Sequence, residues 1–276
     1  MEPVPIMVNG LPGKMAATMF NFALKDSRVA VVPFSLTGAD IPFSEYETET
    51  MTVKLLHPDR RDHEIGDILK QHPGLMMVDY THPSAVNDNA RFYVRHAIPF
   101  VMGTTGGDRS LLEETVKESK ISAVIAPNMA KQIVGFQAMM DFAASSFPDL
   151  FKGYRLQVKE SHQCGKADTS GTAKAVVGSF SRMGVSCSEK GIEMERDPDR
   201  QRDIWGIPEA FLSGHGWHTY TLTSGDQTVM FEFKHNVNGR DVYTLGTLDA
   251  ILYLRNKIQS GAKGQVFTMM DVLKGQ

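Results

Sequence analysis

The sequence predicts an α/β protein in which a doubly wound parallel-sheet domain is joined to an inserted α+β domain with an open, mostly antiparallel sheet. Three observations carry that expectation. Up to about residue 130, short and continuously apolar runs alternate with helical stretches, as strands buried on both faces of a parallel sheet require. Beyond that point the apolar period falls to two, the mark of half-buried strands. A glycine turn, Gly10-Leu11-Pro12-Gly13, separates the first strand from the first helix, as in a Rossmann-like dinucleotide-binding unit.

Taken in order, Ile6-Met7-Val8 is a short apolar strand and Lys14 to Leu24 a helix, followed by the strand Val29-Ala30-Val31-Val32. The cycle returns with the strand Leu75 to Asp79 and the helix Ala85 to His96. It continues with Ile98 to Met102, the helix Ser110 to Ser119, and Ile121 to Ile125. A helix over Lys131 to Ser145 then leads into Tyr154 to Glu160, which alternates as a strand. Trp217 to Thr223 and Val229 to Lys234 alternate as well, and the Ser224-Gly225-Asp226 turn between them predicts a hairpin. Leu245 to Ile258 is helical and expected to pack back onto the first domain. The domains are therefore placed at 1–130 with 241–276, for a dinucleotide, and at 131–240, for substrate and oligomerisation.

Composition bounds the function. With 276 residues, 42% hydrophobic and 22% charged, the chain reads as globular protein. A net charge of −3 offers no overall basic field for nucleic acid. No apolar run approaches the roughly 18 residues of a membrane-spanning helix. Cys164 and Cys187 make neither a disulfide framework nor a zinc site, so the expected compartment is reducing. Strand-like sequence begins almost at once, with no transit segment ahead of it.

The chemistry-bearing residues fall into two groups. Gly10, Gly13, Lys14 and Met15, ahead of Ala16, form a GxxGxxA turn that brings backbone N–H groups to a pyrophosphate, or that simply turns a strand into a helix. After the second strand, Pro33 to Gly38 carries no acid for a ribose 2′-hydroxyl. Ser35 and Thr37 with Lys14 are the expected 2′-phosphate pocket, which favours NADPH over NADH. Tyr80 and Thr81, then Gly103, Thr104 and Thr105, then Pro127, Asn128 and Met129 each follow a buried strand and converge on its carboxyl edge. The second group is the stretch Glu160 to Lys174. Ser170, Gly171 and Thr172 at a helix start suit a carboxylate, Lys166 adds charge, and His162 transfers protons near neutral pH. An N-cap at Asp168 or Ser170 beside a solvated lysine is the alternative reading. His215 and His218 suggest a metal pair only if a third ligand stands nearby. None is visible in the neighbouring sequence, so no metal is expected.

The pattern His162-x3-Lys166 followed by Asp168-x-Ser170-Gly171-Thr172-Ala173 resembles the dihydrodipicolinate reductase family of lysine biosynthesis. The resemblance extends through the Gly10–Met15 turn, Asp79-Tyr80-Thr81, Gly103-Thr104-Thr105-Gly106, Phe231 to Asn236 and Met270 to Leu273, and its wording is most similar to the plant-type branch. It implies NADPH-dependent reduction of a small dicarboxylate ring, with NADH as a second donor. It also implies His162 as general acid, Lys166, Gln163, Ser170, Gly171 and Thr172 on the substrate, and a homodimer or homotetramer. A chloroplast stroma location is implied for a plant protein, and a cytoplasmic one otherwise. Many bacterial members carry a second histidine where this chain has Gln163, which cannot carry charge. Two alternatives remain at this stage: a catalytically silent relative kept for assembly, and another small-substrate dehydrogenase.

Overall fold

The structure, a computed structural model, describes residues 2–275. In chain order the elements are β1 (Val4–Asn9), α1 (Lys14–Ala23), β2 (Val29–Val31), β3 (Phe34–Leu36), β4 (Glu45–Glu47), β5 (Thr52–Leu56) and α2 (Arg61–Gln71). Next come β6 (Met76–Asp79), α3 (Val86–Arg95), β7 (Phe100–Met102), α4 (Arg109–Lys117), β8 (Ala123–Ile125) and α5 (Lys131–Ser146). The chain continues with β9 (Arg155–His162), α6 (Gly171–Arg182), β10 (Ile192–Glu195), α7 (Pro198–Asp203), β11 (His215–Thr223) and β12 (Met230–Asn238). It closes with α8 (Asp241–Gln259), β13 (Val266–Phe267) and α9 (Met269–Lys274). Two compact units result, residues 1–131 with 241–276, and residues 132–240.

The first unit is built on a six-stranded sheet in the order β13-β8-β7-β6-β1-β2, parallel throughout. Its central strands carry no polar alternation because both faces are covered: β6 and β7 are buried at every position. Helix α3 shows why this sequence makes a helix here. Val86, Asn89, Ala90, Phe92 and Tyr93 recur at helical spacing and form its buried stripe. Asp108 caps α4 by accepting from the Leu111 amide at 3.0 Å. Phe92, Tyr93 and Phe100 centre the core, and each fully buried side chain of that size contributes about 1.5–3 kcal/mol. Helix α8 belongs to this unit, burying Leu248, Ile251 and Leu254, and Thr268 with Asp271 forms a capping box for α9.

A second, three-stranded sheet, β3-β5-β4, branches off after β2 and was not expected from the sequence. Its β3 and β4 strands span three residues each, too short to show a period.

The second unit is a mixed sheet in the order β10-β9-β11-β12. Both β9–β11 and β11–β12 run antiparallel, whereas β10 joins β9 in parallel. The expected hairpin is present, with Ser224 Oγ donating to Asp226 Oδ1 at 2.6 Å inside its turn. Phe180, Tyr220 and Leu222 fill the core between this sheet and α6. Among the described residues no helix is long and apolar enough to cross a membrane.

Candidate active site

In the first unit, the chain leaves β1 at Gly10 with φ +109°, a conformation that favours glycine. A Cβ there would stand 2.2 Å from the Tyr80 carbonyl oxygen, so Gly10 also lets two loops touch. Gly13 N donates to Gly10 O at 2.8 Å, and α1 starts at Lys14 with no capping side chain and no acid in its first turn. Its first amides therefore keep their donors and the positive helix end for an anion. Thr37 Oγ1 donates to Leu11 O at 2.8 Å and Leu11 N donates to Ser35 Oγ at 3.3 Å, which fixes the turn. A cavity of about 830 Å³ opens beside it, lined among others by Gly10, Gly13, Lys14, Thr37, Arg61 and Thr81.

Strands β1, β6, β7 and β8 end level with one another, Asn9 beside Asp79, Asp79 beside Met102 and Met102 beside Ile125. Their following loops thus leave one edge of the sheet, as the spacing implied. The buried carboxylate of Asp79 ties them together. It accepts from Tyr93 Oη at 2.6 Å, Thr104 Oγ1 at 2.7 Å, Thr81 Oγ1 at 2.8 Å and Asn89 Nδ2 at 3.0 Å.

Several residues expected at the cofactor are placed otherwise. Ser35 is fully buried, its hydroxyl committed to the Leu11 amide and the Leu36 carbonyl, so it offers nothing to a phosphate. Tyr80 lines the cavity, but its ring turns inward to bond Thr247 on α8, and burial pushes its phenol pKa up. The Thr104 hydroxyl is held by Asp79, and the Met129 side chain is buried. Asn128 Oδ1 accepts from the Ala130 amide. The cavity wall does not include Met15, Gly103, Thr105 or Pro127.

In the second unit, His162 ends β9 opposite Gly216, where a Cβ would come 2.9 Å from the His162 ring; the glycine makes room for the imidazole. Nδ1 lies 3.1 Å from the His215 carbonyl, which can only accept, so Nδ1 carries the hydrogen. Nε2 is left as the reactive nitrogen, 3.3 Å from His218 Nε2. Two positions upstream on the same strand face, Glu160 is fully buried. One of its oxygens meets Arg196 Nη2 at 2.5 Å and the other accepts from the Ser170 amide at 3.0 Å. The same guanidinium donates to the Lys166 carbonyl at 2.8 Å. Glu160 and Arg196 thereby hold both ends of the Lys166–Ser170 loop, and α6 begins at Gly171 with Ser170 at its N-cap. No side-chain bond caps that end, which leaves its first amides open. Lys166 Nζ rests 2.7 Å from Asp168 Oδ1, and Gln163 is half-buried at the mouth of the loop.

Burial lowers the His162 pKa to about 4, and the charges of Arg196 and Lys166 add to the effect. His218 is pushed lower still, first by burial and then by His235, against which it stacks at 4.5 Å. Both imidazoles are neutral at pH 7. His162 Nε2 then accepts from His218 Nε2, and the His218 Nδ1 is buried with no partner among the described residues. The expectation that His218 has no third group nearby is corrected: Glu160, His162 and His218 present ligand atoms all within 4.8 Å of one another. Strand pairing, invisible in the sequence spacing, sets His218 opposite Glu160. Arg196 already occupies the carboxylate, and its charge and that of Lys166 oppose a cation there.

The family profile described as dihydrodipicolinate reductase, N-terminus, matches residues 4–129, and its C-terminal counterpart matches residues 133–273. The chain belongs to the dihydrodipicolinate reductase family. It is 47% identical to 4-hydroxy-tetrahydrodipicolinate reductase 1, chloroplastic, of Arabidopsis thaliana, over 98% of this chain and 78% of that one. It is 45% identical to a probable chloroplastic enzyme of the same name from Oryza sativa subsp. japonica, over 98% and 78% of the two chains. The dipicolinate-bound dihydrodipicolinate reductase of Paenisporosarcina sp. TG-14 shares the fold, with a TM-score of 0.67 at 16% identity over 96% and 97% of the two chains.

The resemblance to dihydrodipicolinate reductases was legible in the loop motif, whereas Glu160, Arg196 and His218 were not assigned from sequence. An inward carboxylate on a strand that buries Val158 two positions earlier was the available signal for Glu160, since such a group needs a cation. Nothing in the spacing pointed to Arg196.

Proposed function

We propose that this dihydrodipicolinate reductase performs the NAD(P)H-dependent reduction of the dehydrated 4-hydroxy-tetrahydrodipicolinate ring to tetrahydrodipicolinate. When bound, the cofactor supplies the hydride, which joins C4 of the ring. Electron density then moves through the conjugated system towards the ring nitrogen, and a proton must follow. His162 is the general acid, through Nε2. Lys166 holds one carboxylate and offsets the negative charge that develops, while the open amides of Gly171 and Thr172 and the hydroxyls of Ser170 and Thr172 hold the other. Gln163 adds an uncharged contact. The observation carrying this reading is the buried Glu160–Arg196 pair, which fastens the Lys166–Ser170 loop to the strand that bears His162.

A neutral His162 is a poor acid, and the substrate itself corrects this. Two carboxylates beside Lys166 and Arg196 cancel the charges that help depress the imidazole, so its pKa rises on binding.

The cofactor's phosphates are assigned to the Gly10–Gly13 turn and the first amides of α1, with Lys14 and Thr37 beside them and the loops at Tyr80–Thr81, Gly103–Thr105 and Pro127–Met129 along the sheet edge. NADPH is the proposed donor, used at least as well as NADH. The sheet of the second unit is the proposed assembly surface of a homodimer or homotetramer, since Met230 and Phe231 on its edge strand are exposed. The chloroplast is the proposed compartment if the source is a plant. The test is NADPH oxidation with precursor generated enzymatically in the same cuvette. Turnover that requires the precursor supports the reading, and cofactor oxidation absent with fresh precursor sinks it.

A further inference from the structure

We infer that Arg61 recognises the 2′-phosphate of NADPH and sets the choice between the two nicotinamide dinucleotides. The inference rests on the reading of the first unit as a dinucleotide site and names a residue that reading did not contain. With Ser35 buried under the glycine turn, the cavity wall keeps two cationic side chains, Lys14 and Arg61.

Arg61 opens α2 and is held in place from two sides. Its guanidinium carbon stands 4.7 Å above the Phe92 ring, and Nη1 donates to Asn89 Oδ1 at 2.7 Å. Asn89 is itself anchored, donating to Asp79 Oδ2 at 3.0 Å. The remaining donors are underused: among the described residues Nη2 makes no hydrogen bond, no carboxylate pairs with the group, and Nε is buried without a partner. A stacked, pre-oriented guanidinium with unmade hydrogen bonds beside a cavity is a site for a planar or tetrahedral oxyanion.

The acids in the same wall do not cancel it. Asp88 is engaged by Arg91, and Asp40, on the loop after β3, is exposed to solvent, where water screens it. The added phosphate finds Arg61 and Lys14.

The experiment is calorimetric titration of the protein with ADP and with 2′-phospho-ADP, the adenosine 2′-phosphate that carries the same 5′-diphosphate. The two probes differ only in the 2′-phosphate and need no turnover. The natural protein is expected to bind 2′-phospho-ADP at least tenfold more tightly than ADP. In Arg61→Gln that preference should fall by about 10–100-fold, the worth of a charge-assisted pair, with ADP affinity unchanged. If neither probe binds the natural protein, the dinucleotide reading itself fails. If ADP binds and Arg61→Gln keeps the preference, Arg61 is overturned and the dinucleotide reading stands. Should the glutamine variant unfold, Arg61→Lys decides, because it keeps the stem over Phe92 and the charge but loses the fork. Its preference should drop several-fold, and an unchanged one overturns the inference.

Discussion

At the scale of single residues, the second unit divides labour between groups that touch substrate and groups that hold them. In the proposed reaction Lys166 is of the first kind: its side chain ends in a surface ion pair with Asp168, an exposed partner that a carboxylate ligand can replace at little loss. Lys166→Ala should lower turnover by orders of magnitude while ADP affinity at the glycine turn stays within twofold. A near-natural rate in that variant would falsify the role given to Lys166. His162 yields a second expectation through linkage. Its pKa is about 4 in the free protein, and the proposed rise on binding a dicarboxylate means that binding takes up a proton. Pyridine-2,6-dicarboxylate should therefore bind more tightly as pH falls from 8 towards about 4, with no further gain below. Calorimetry in buffers of different ionisation heat should count the proton taken up, and His162→Gln should abolish it. Proton uptake that survives in His162→Gln would move the acid to another group.

At the scale of elements, what was legible followed a period and what was not depended on pairing. Strand β9 was visible because its residues alternate, and the loop after it because His162, Lys166 and Ser170 to Thr172 keep a family spacing. The clamp on that loop was hidden, because Arg196 lies 36 residues beyond Glu160 and meets it only once β10 has joined β9. The Ser35 hydroxyl was misjudged for a related reason. A small polar residue after a strand reads as surface, and only the packing of the glycine turn over β3 shows it to be buried. The clamp gives a prediction at this scale. Glu160→Gln leaves Arg196 without its buried counter-charge, a change that commonly costs about 3–5 kcal/mol. A lowered melting temperature together with a raised KM for the dicarboxylate is expected, as the Lys166–Ser170 loop loses its tie to β9. Loss of stability with an unchanged KM would mean that the loop keeps its form without the pair.

At the scale of the whole molecule, the chain crosses between its two units twice, between residues 131 and 132 and between residues 240 and 241. The glycine turn belongs to one unit and the His162–Lys166 loop to the other, so the proposed function gives each ligand its principal holder in a different unit. Hydride transfer requires donor and acceptor atoms within about 3–3.5 Å and aligned. The proposed reaction therefore predicts that binding of the two ligands is coupled. Gly239, near the second crossing, has φ +75°, a conformation that favours glycine. The dicarboxylate should consequently bind more tightly when an oxidised nicotinamide cofactor is present, within the usual range of about 5–150-fold. By reciprocity, the cofactor should gain the same factor from the dicarboxylate. Titrations in both orders measure the two factors, and solution scattering with neither, either and both ligands shows whether compaction needs the pair. Independent binding with scattering unchanged throughout would mean that the units reach the reactive arrangement without responding to their ligands.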